Sequence, residues 1–449
     1  MTVRRIAFLV AAALLCASWP LQAVHAASGL SPLQIYELRV SYARLSGEFY
    51  QKIDPQALLD GEYASLETDL DAEGVAHGGL PPPHATSDER DDLKTFVDEA
   101  TSAYALAAGK LPATKVTYDA IGGLFSAAKD RYTVFLTPKE YAEMEGALTG
   151  GEGFGGVGLF IGLEATGQKR ALVEWVAQGG PADNAGLQAG DVIAAIDGTS
   201  TSDMPIKTIS SMLRGKPGTV VRLTVERNGA PLAQPLAVTR REIHMPTVFA
   251  KMLPNKVAFI AIAIFGESTA DELNRALDRF QKDGAEAYVL DLRDNGGGYL
   301  DSAIDVSSKF IATGPIVKVT ERAGNYKQYD ADNDAIAPKP LVVLVNGNTA
   351  SASEITSGAI QDRGAGILIG TRTFGKGVVQ SIYPLPDGSA IKITTARYYT
   401  PRGRDINTVG IEPDIVADEN ASPVPGDPSK DSQLQTALSY LSTKVARSK

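Results

Sequence analysis

The feature that most constrains this chain is a change of texture at Lys256, after which apolar strands alternate with amphipathic helices. Residues 257–264 precede a helix over Thr269–Lys282, residues 287–292 one over 300–312, and residues 341–346 one over 352–362. Parallel strands need such crossovers, so the region predicts βα units on a largely parallel sheet. Ligands of such sheets sit beyond the carboxyl ends of the strands. Two segments fall there: Gly296-Gly297-Gly298 and the turn that carries Ser351.

At 449 residues the chain is longer than one core usually supports, and its texture divides accordingly. Residues 29–145 are mostly helix-patterned. Leu33, Tyr36, Val40 and Ala43 recur at helical spacing, and 91–108 and 117–128 read as further helices. A glycine-rich hinge at 150–158 opens a region of short strands, at Leu159–Leu163, Ala171–Val176, 191–196, Val220–Arg227 and 236–240, with turn pairs at Asp197-Gly198 and Asn228-Gly229. Residues 421–430 form a Ser/Pro/Gly linker before a short amphipathic helix through Leu434, Leu438 and Leu441.

The first 26 residues read as a secretory signal. Arg4 and Arg5 precede an apolar run from Ile6 to Trp19, and Val24-His25-Ala26 offers a small-residue cleavage site. Export to the periplasm is the expectation, with secretion or retention by an uncleaved signal as alternatives. The run is too short to span a bilayer comfortably, so the processed chain is expected not to cross a membrane. Cys16, the sole cysteine, lies inside the run. The processed chain therefore offers no disulfide, thiol nucleophile or zinc–thiolate site. Its charge of −12, from 41 basic against 53 acidic residues, disfavours nucleic-acid binding.

A nucleophilic serine needs exposure at a turn, a base within reach, and donors for the oxyanion. Ser351 has the turn. If Ala352 opens a helix, its unpaired N–H points toward the place where negative charge would develop. The 296–298 glycines offer a second N–H unobstructed by side chains. Ser351-x-x-Glu354 is equally a capping box, and Thr349 and Ser353 are neighbouring hydroxyls that the sequence does not rank.

Histidine is scarce. His25 falls in the signal, His77 and His84 flank a proline-rich loop, and His244 stands alone as a structural residue. A Ser-His-Asp triad is accordingly not expected. Lysine can serve instead if burial lowers its pKa by roughly 3 units, about 4 kcal/mol of disfavoured charge. Lys376, bracketed by Gly375 and Gly377, is the candidate. Gln380 shares strand parity with it and carries an amide able to orient an amine, but a regular strand would separate the two by about 13 Å. A bend at Gly377 is expected to bring them together.

Two motifs do not fit their usual chemistry. Gly153-x-Gly155-x-x-Gly158 matches a dinucleotide fingerprint but leads into a strand where that site requires a helix. Ser126-x-x-Lys129 fits an acyl-enzyme pattern without its companion elements. Neither HExxH nor an EF-hand loop occurs, so no metal or cofactor is expected.

Four segments together resemble the carboxy-terminal processing, or tail-specific, proteases: NGNTASASE at 346–354, TFGKGVVQ at 373–380, DLRDNGGG at 291–298 and GIEPDI at 410–415. Gly156-Val157-Gly158-Leu159, Gly180-Pro181-Ala182, Ala185-Gly186-Leu187 and Gly190-Asp191-Val192-Ile193 resemble the PDZ domain of those enzymes. The resemblance covers about 117–415. Arg131 departs from it, standing where a proline is common, and residues 30–111 match poorly.

The resemblance implies a multi-domain α/β protein. Its parts would be a signal peptide (1–26), an N-terminal helical module (27–147), a β-rich PDZ domain with two helices (148–243), a crotonase-like α/β core (244–420), and a linker with a short C-terminal helix (421–449). It also implies a serine endopeptidase with Ser351 as nucleophile, Lys376 as general base and Gln380 positioning the lysine. Gly297 and Ala352 would donate the oxyanion-hole hydrogen bonds. Gly156, Val157, Gly158 and Leu159 would bind the C-terminal carboxylate of protein or peptide substrates, and the family leaves room for an activating adaptor. A non-proteolytic PDZ adaptor or scaffold is the alternative.

Overall fold

The computed structural model describes residues 29–86, 88–149, 154–164, 169–177, 179–243, 246–418 and 425–448. The expected signal with Cys16, residues 150–153 of the hinge, His244 and the start of the linker lie outside them.

The strand–helix alternation folds into a six-stranded sheet. Its order is Val248–Leu253, Val257–Ile262, Ala287–Asp291, Leu341–Val345, Ile367–Gly370 and Ile415–Val416. The first pair is antiparallel and every other pair parallel. Every residue of Ala287–Asp291 and Leu341–Val345 is buried, as expected for strands covered on both faces. Helices Thr269–Lys282, Leu300–Ser308 and Ala352–Arg363 cover one face through Leu277, Ala303 and Ala359. On the other face lies the C-terminal helix Ser432–Ser448, whose Leu434, Ala437 and Leu441 meet Val289 and Val342. Because Ala287–Asp291 and Leu341–Val345 are adjacent and parallel, their carboxyl ends place the glycine run and Ser351 side by side.

A second, wholly antiparallel sheet was not anticipated from the sequence. It joins Val134–Leu136, Val378–Pro384, Ala390–Tyr399, Pro315–Glu321 and Tyr326–Asp330. Its strands come from opposite ends of the chain, and Val134–Leu136 follows directly on the N-terminal helices.

Those helices are Pro32–Glu48, Pro55–Ala72, Glu89–Ala107 and Ala113–Ser126, and side-chain caps start the first three. Ser31 and Gln34 form a capping box ahead of Pro32, and Asp54 caps the second helix. Their apolar faces share one cluster with Leu385, Ile391 and Ile393, which ties the helical module to the second sheet.

The PDZ region is a seven-stranded sheet built on Leu159–Leu163, Ala171–Val176, Val192–Ile196 and Val220–Arg227, with helices Pro181–Asn184 and Ile206–Leu213. Asp197 and Gly198 both have positive φ (48° and 82°), the requirement of a type I′ hairpin turn. Phe154–Gly156 and Arg241–Ile243 pair where the chain enters and leaves this region. Phe160 and Trp175 meet Phe249 of the first sheet edge-on, each with ring centroids 4.7 Å apart. Among the described residues no helix is long and apolar enough to cross a membrane.

Candidate active site

Ser351 occupies the corner between Leu341–Val345 and Ala352–Arg363 with φ 57° and ψ −118°. A side chain in that region costs about 1–3 kcal/mol and persists only where its surroundings impose it. Here they do. The Ser351 N–H donates to Glu354 Oε2 at 3.0 Å, and the Ala350 N–H donates to Asn295 O at 3.0 Å. Ser353 Oγ donates to Asn295 O at 2.9 Å, and Thr349 Oγ1 to Leu292 O at 2.9 Å. The three hydroxyls are thereby sorted: Thr349 and Ser353 are fully buried and bonded to carbonyls, while Ser351 faces a cavity.

The neighbouring corner presses against this one. Gly297 has φ 106°, and a Cβ there would lie 2.7 Å from Ser351 Cβ and 2.9 Å from Ala352 N, so only glycine fits. Its own N–H donates to Asn295 Oδ1 at 2.9 Å. Gly296, Gly298 and Ala352 line the same cavity as Ser351.

That cavity, of about 210 Å³, also admits Lys376, Gln380 and Lys392. Burial is the main reason the Lys376 amine is pushed down to about 8. The Lys392 and Arg131 cations add to the effect, and Asp130 and Glu354 oppose it. The Nζ lies 4.7 Å from the Tyr132 ring centroid, a cation–π distance. Gln380 Nε2 donates to Thr394 Oγ1 at 3.3 Å. The strand does break regularity near Lys376, but the irregularity is a register shift between Val379 and Gln380.

Sequence reasoning saw Glu354 only as a cap. Its buried carboxylate accepts Thr373 Oγ1 (2.5 Å), Gly375 N–H (2.8 Å) and Lys376 N–H (2.8 Å) besides the Ser351 N–H. Burial pushes this carboxyl up, and the four donors pull it back. Tyr398, also missed, sets its hydroxyl between the carbonyl oxygens of Ser351 (3.1 Å) and Lys376. The capping-box spacing was the one visible signal for Glu354. Thr394, Lys392 and Tyr398 carried none, because they reach the site through sheet pairing across long stretches of chain, and Tyr132 arrives in the turn ahead of Val134–Leu136.

A second cavity, of about 190 Å³, lies in the PDZ region, and the four residues Gly156, Val157, Gly158 and Leu159 all line it, with Trp175 and Leu213. The two decoy motifs have ordinary roles. Gly158 leads into a strand, and Ser126 Oγ donates to Gly123 O at 2.6 Å.

Residues 256–417 match the model of peptidase family S41, and residues 172–227 match a PDZ domain model. A carboxyl-terminal-processing protease of Picosynechococcus sp. is 37% identical over 333 residues, covering 73% of this chain and 80% of the relative. A chloroplastic C-terminal processing peptidase of Tetradesmus obliquus is 36% identical over 322 residues, covering 68% and 69%. In fold, the chain is similar to a solved Bacteroides fragilis structure described as an S41 protease, with TM-score 0.52, 19% identity, and coverage of 84% of this chain and 97% of that one.

Proposed function

Because this chain belongs to peptidase family S41 and is a serine-type, carboxyl-terminal-processing peptidase, we propose that Ser351 is its nucleophile and Lys376 its general base. The observation that carries this reading is a single one. Ser351 and Lys376 line the same cavity, and the amine there is pushed down to about 8, within reach of the neutral form at working pH.

Neutral Lys376 takes the Ser351 hydroxyl proton as the oxygen attacks the peptide carbonyl. For this the amine leaves the Tyr132 ring and turns toward Ser351, and Gln380 exchanges Thr394 for the amine. The developing oxyanion is held by the Ala352 N–H at the helix start and by the Gly297 corner, whose N–H must exchange Asn295 Oδ1 for substrate. The leaving amine departs with a proton from Lys376. Water then attacks the acyl-enzyme, its proton passing to Lys376, and as the Ser351 Oγ–acyl bond breaks Lys376 returns that proton to the serine oxygen.

The PDZ groove at 156–159 takes the free C-terminus of an exported protein substrate, adding its last strand to the sheet edge. Residues 148–243 thus act as receptor and 244–420 as the catalytic unit, in a periplasmic protein released from its 1–26 signal.

The test is mass spectrometry of a tailed protein incubated with wild type, Ser351→Ala and Lys376→Ala. Both variants are expected to lose about 10⁴-fold or more in cleavage rate. Retained turnover in either sinks the dyad. Amidating the substrate's C-terminus is expected to slow cleavage, and equal rates would remove the PDZ groove from recognition.

A further inference from the structure

Lys392 is the unexplained resident of the catalytic cavity. It lies in Ala390–Tyr399, paired with Ile382 on one side and Val134 on the other, so two neighbours fix its backbone. Residues two apart on a strand share a face, which puts Lys392 and Thr394 on one side, opposite Ile382 and Gln380. Gln380, Ile382 and Lys392 all line the cavity that holds Ser351 and Lys376. A lysine inside a pocket normally has a carboxylate in contact. Among the described residues Lys392 has no ion pair within 4.0 Å.

We propose that Lys392 is a positioning residue for the catalytic base, a second ammonium fixed by strand pairing on the wall of the same cavity, whose charge makes Lys376 give up its proton more readily. This rests on the dyad reading above.

Two ammonium groups desolvated in one pocket cannot both hold a proton without mutual cost, so the pair shares its protons unequally. The surrounding charges decide which lysine yields. Lys376 faces two cations, Lys392 and Arg131, against two anions, Asp130 and Glu354, with the Tyr132 ring beside its amine and the Tyr398 hydroxyl on its backbone carbonyl. Glu354 is occupied by four donors. For Lys392, burial lowers its affinity for a proton and Asp130 restores part of it.

Asp130 is firmly placed for that task. Its Oδ2 accepts Thr394 Oγ1 (2.5 Å) and Thr133 Oγ1 (2.8 Å), and its Oδ1 accepts the Tyr132 N–H (3.2 Å). Asp130 supports a charge on both amines, but Lys376 also meets the Arg131 cation, so the Lys392 charge works against a proton on Lys376. The arrangement also links the segment 130–133, which follows the N-terminal helices, to the chemistry of the dyad.

The experiment is the pH dependence of kcat/KM on a peptide substrate for the full-length processed enzyme. Wild type is expected to gain activity with pH through a limb near 8. Lys392→Gln removes the opposing cation, so the limb moves up by about one pH unit, with roughly tenfold loss at pH 7 and little loss at pH 10. Lys392→Arg keeps the wild-type limb. Lys392→Met also removes the cation while keeping the length of the side chain, and it moves the limb in the same direction, which keeps the inference testable should Lys392→Gln not fold. The pH dependence of Lys376 acylation by an amine reagent, read by mass spectrometry, is expected to move with each limb. A limb in Lys392→Gln that coincides with wild type, or a loss equal at every pH, overturns the role of Lys392. If Lys376→Ala is inactive while the limbs do not move, only this inference fails; if Lys376→Ala stays active, the dyad reading fails with it.

Discussion

Glu354 Oε2 accepts the backbone N–H of Lys376 at 2.8 Å, from within the first turn of the helix that Ser351 opens. The same oxygen accepts the Ser351 N–H at 3.0 Å. One buried atom therefore sets the backbone of Ser351 relative to that of Lys376, although the two residues adjoin strands of different sheets.

Replacing this carboxylate by an amide tests that coupling. In Glu354→Gln one acceptor oxygen becomes an NH₂ facing backbone donors, leaving unsatisfied groups in a buried site at a cost of about 2–4 kcal/mol. Steady-state kinetics are expected to show kcat reduced by about tenfold to a hundredfold with KM within about twofold. An unchanged kcat would mean that the two corners hold their geometry without Glu354.

The contact at Gly297 makes a sharper demand. An alanine Cβ would intrude to 2.7 Å from Ser351 Cβ at a φ of 106°. Gly297→Ala is expected to lose at least about a hundredfold in kcat, because a displaced Ser351 loses its alignment with substrate and base. Turnover near wild type would remove the glycine corner from the reaction.

Arg293 anchors the C-terminal helix. Its buried guanidinium pairs with Asp291 and with Asp431, each at 2.6 Å, and both carboxylates are themselves buried. Arg293→Met leaves two uncompensated charges and is expected to cost about 3–5 kcal/mol. The measurements are thermal unfolding and limited proteolysis, with cleavage appearing first near the helix Ser432–Ser448.

The N-terminal helices contain a titration of opposite sense. Burial, with help from Asp60, pushes the Glu99 carboxyl up from 4.5 to about 8, and its Oε2 has no hydrogen-bond partner. The folded chain thus binds this proton more tightly than the unfolded one. Its stability is intact below pH 4.5 and falls as pH rises through about 8. Glu99→Gln is expected to melt near the wild-type temperature at pH 4.5 and several degrees above it at pH 9. A gap that does not widen with pH would show that Glu99 is already ionised in the fold.

Much of this architecture was legible because local chemistry and burial agree. Leu341–Val345 is apolar at every position and proved buried on both faces, and Thr269–Lys282 was bounded correctly from its periodicity. The turn pairs Asp197-Gly198 and Asn228-Gly229 also read directly from the chain. The antiparallel sheet did not, because no local pattern says that residue 134 pairs with residue 392. Nor was Glu354 legible as more than a cap, since its three further donors, Thr373, Gly375 and Lys376, arrive from some twenty residues away.

By itself, the order of residues determined the strand-to-helix corners, the serine and lysine that the candidate chemistry needs, and the glycines that let two corners touch. Those follow from steric limits and side-chain chemistry that act within a few residues. Tertiary structure alone decided which hydroxyl faces the cavity, which groups surround the amine, and how far its proton affinity falls. Desolvation and Coulomb forces depend on distance in space, and that distance is set only when the two sheets close over the site.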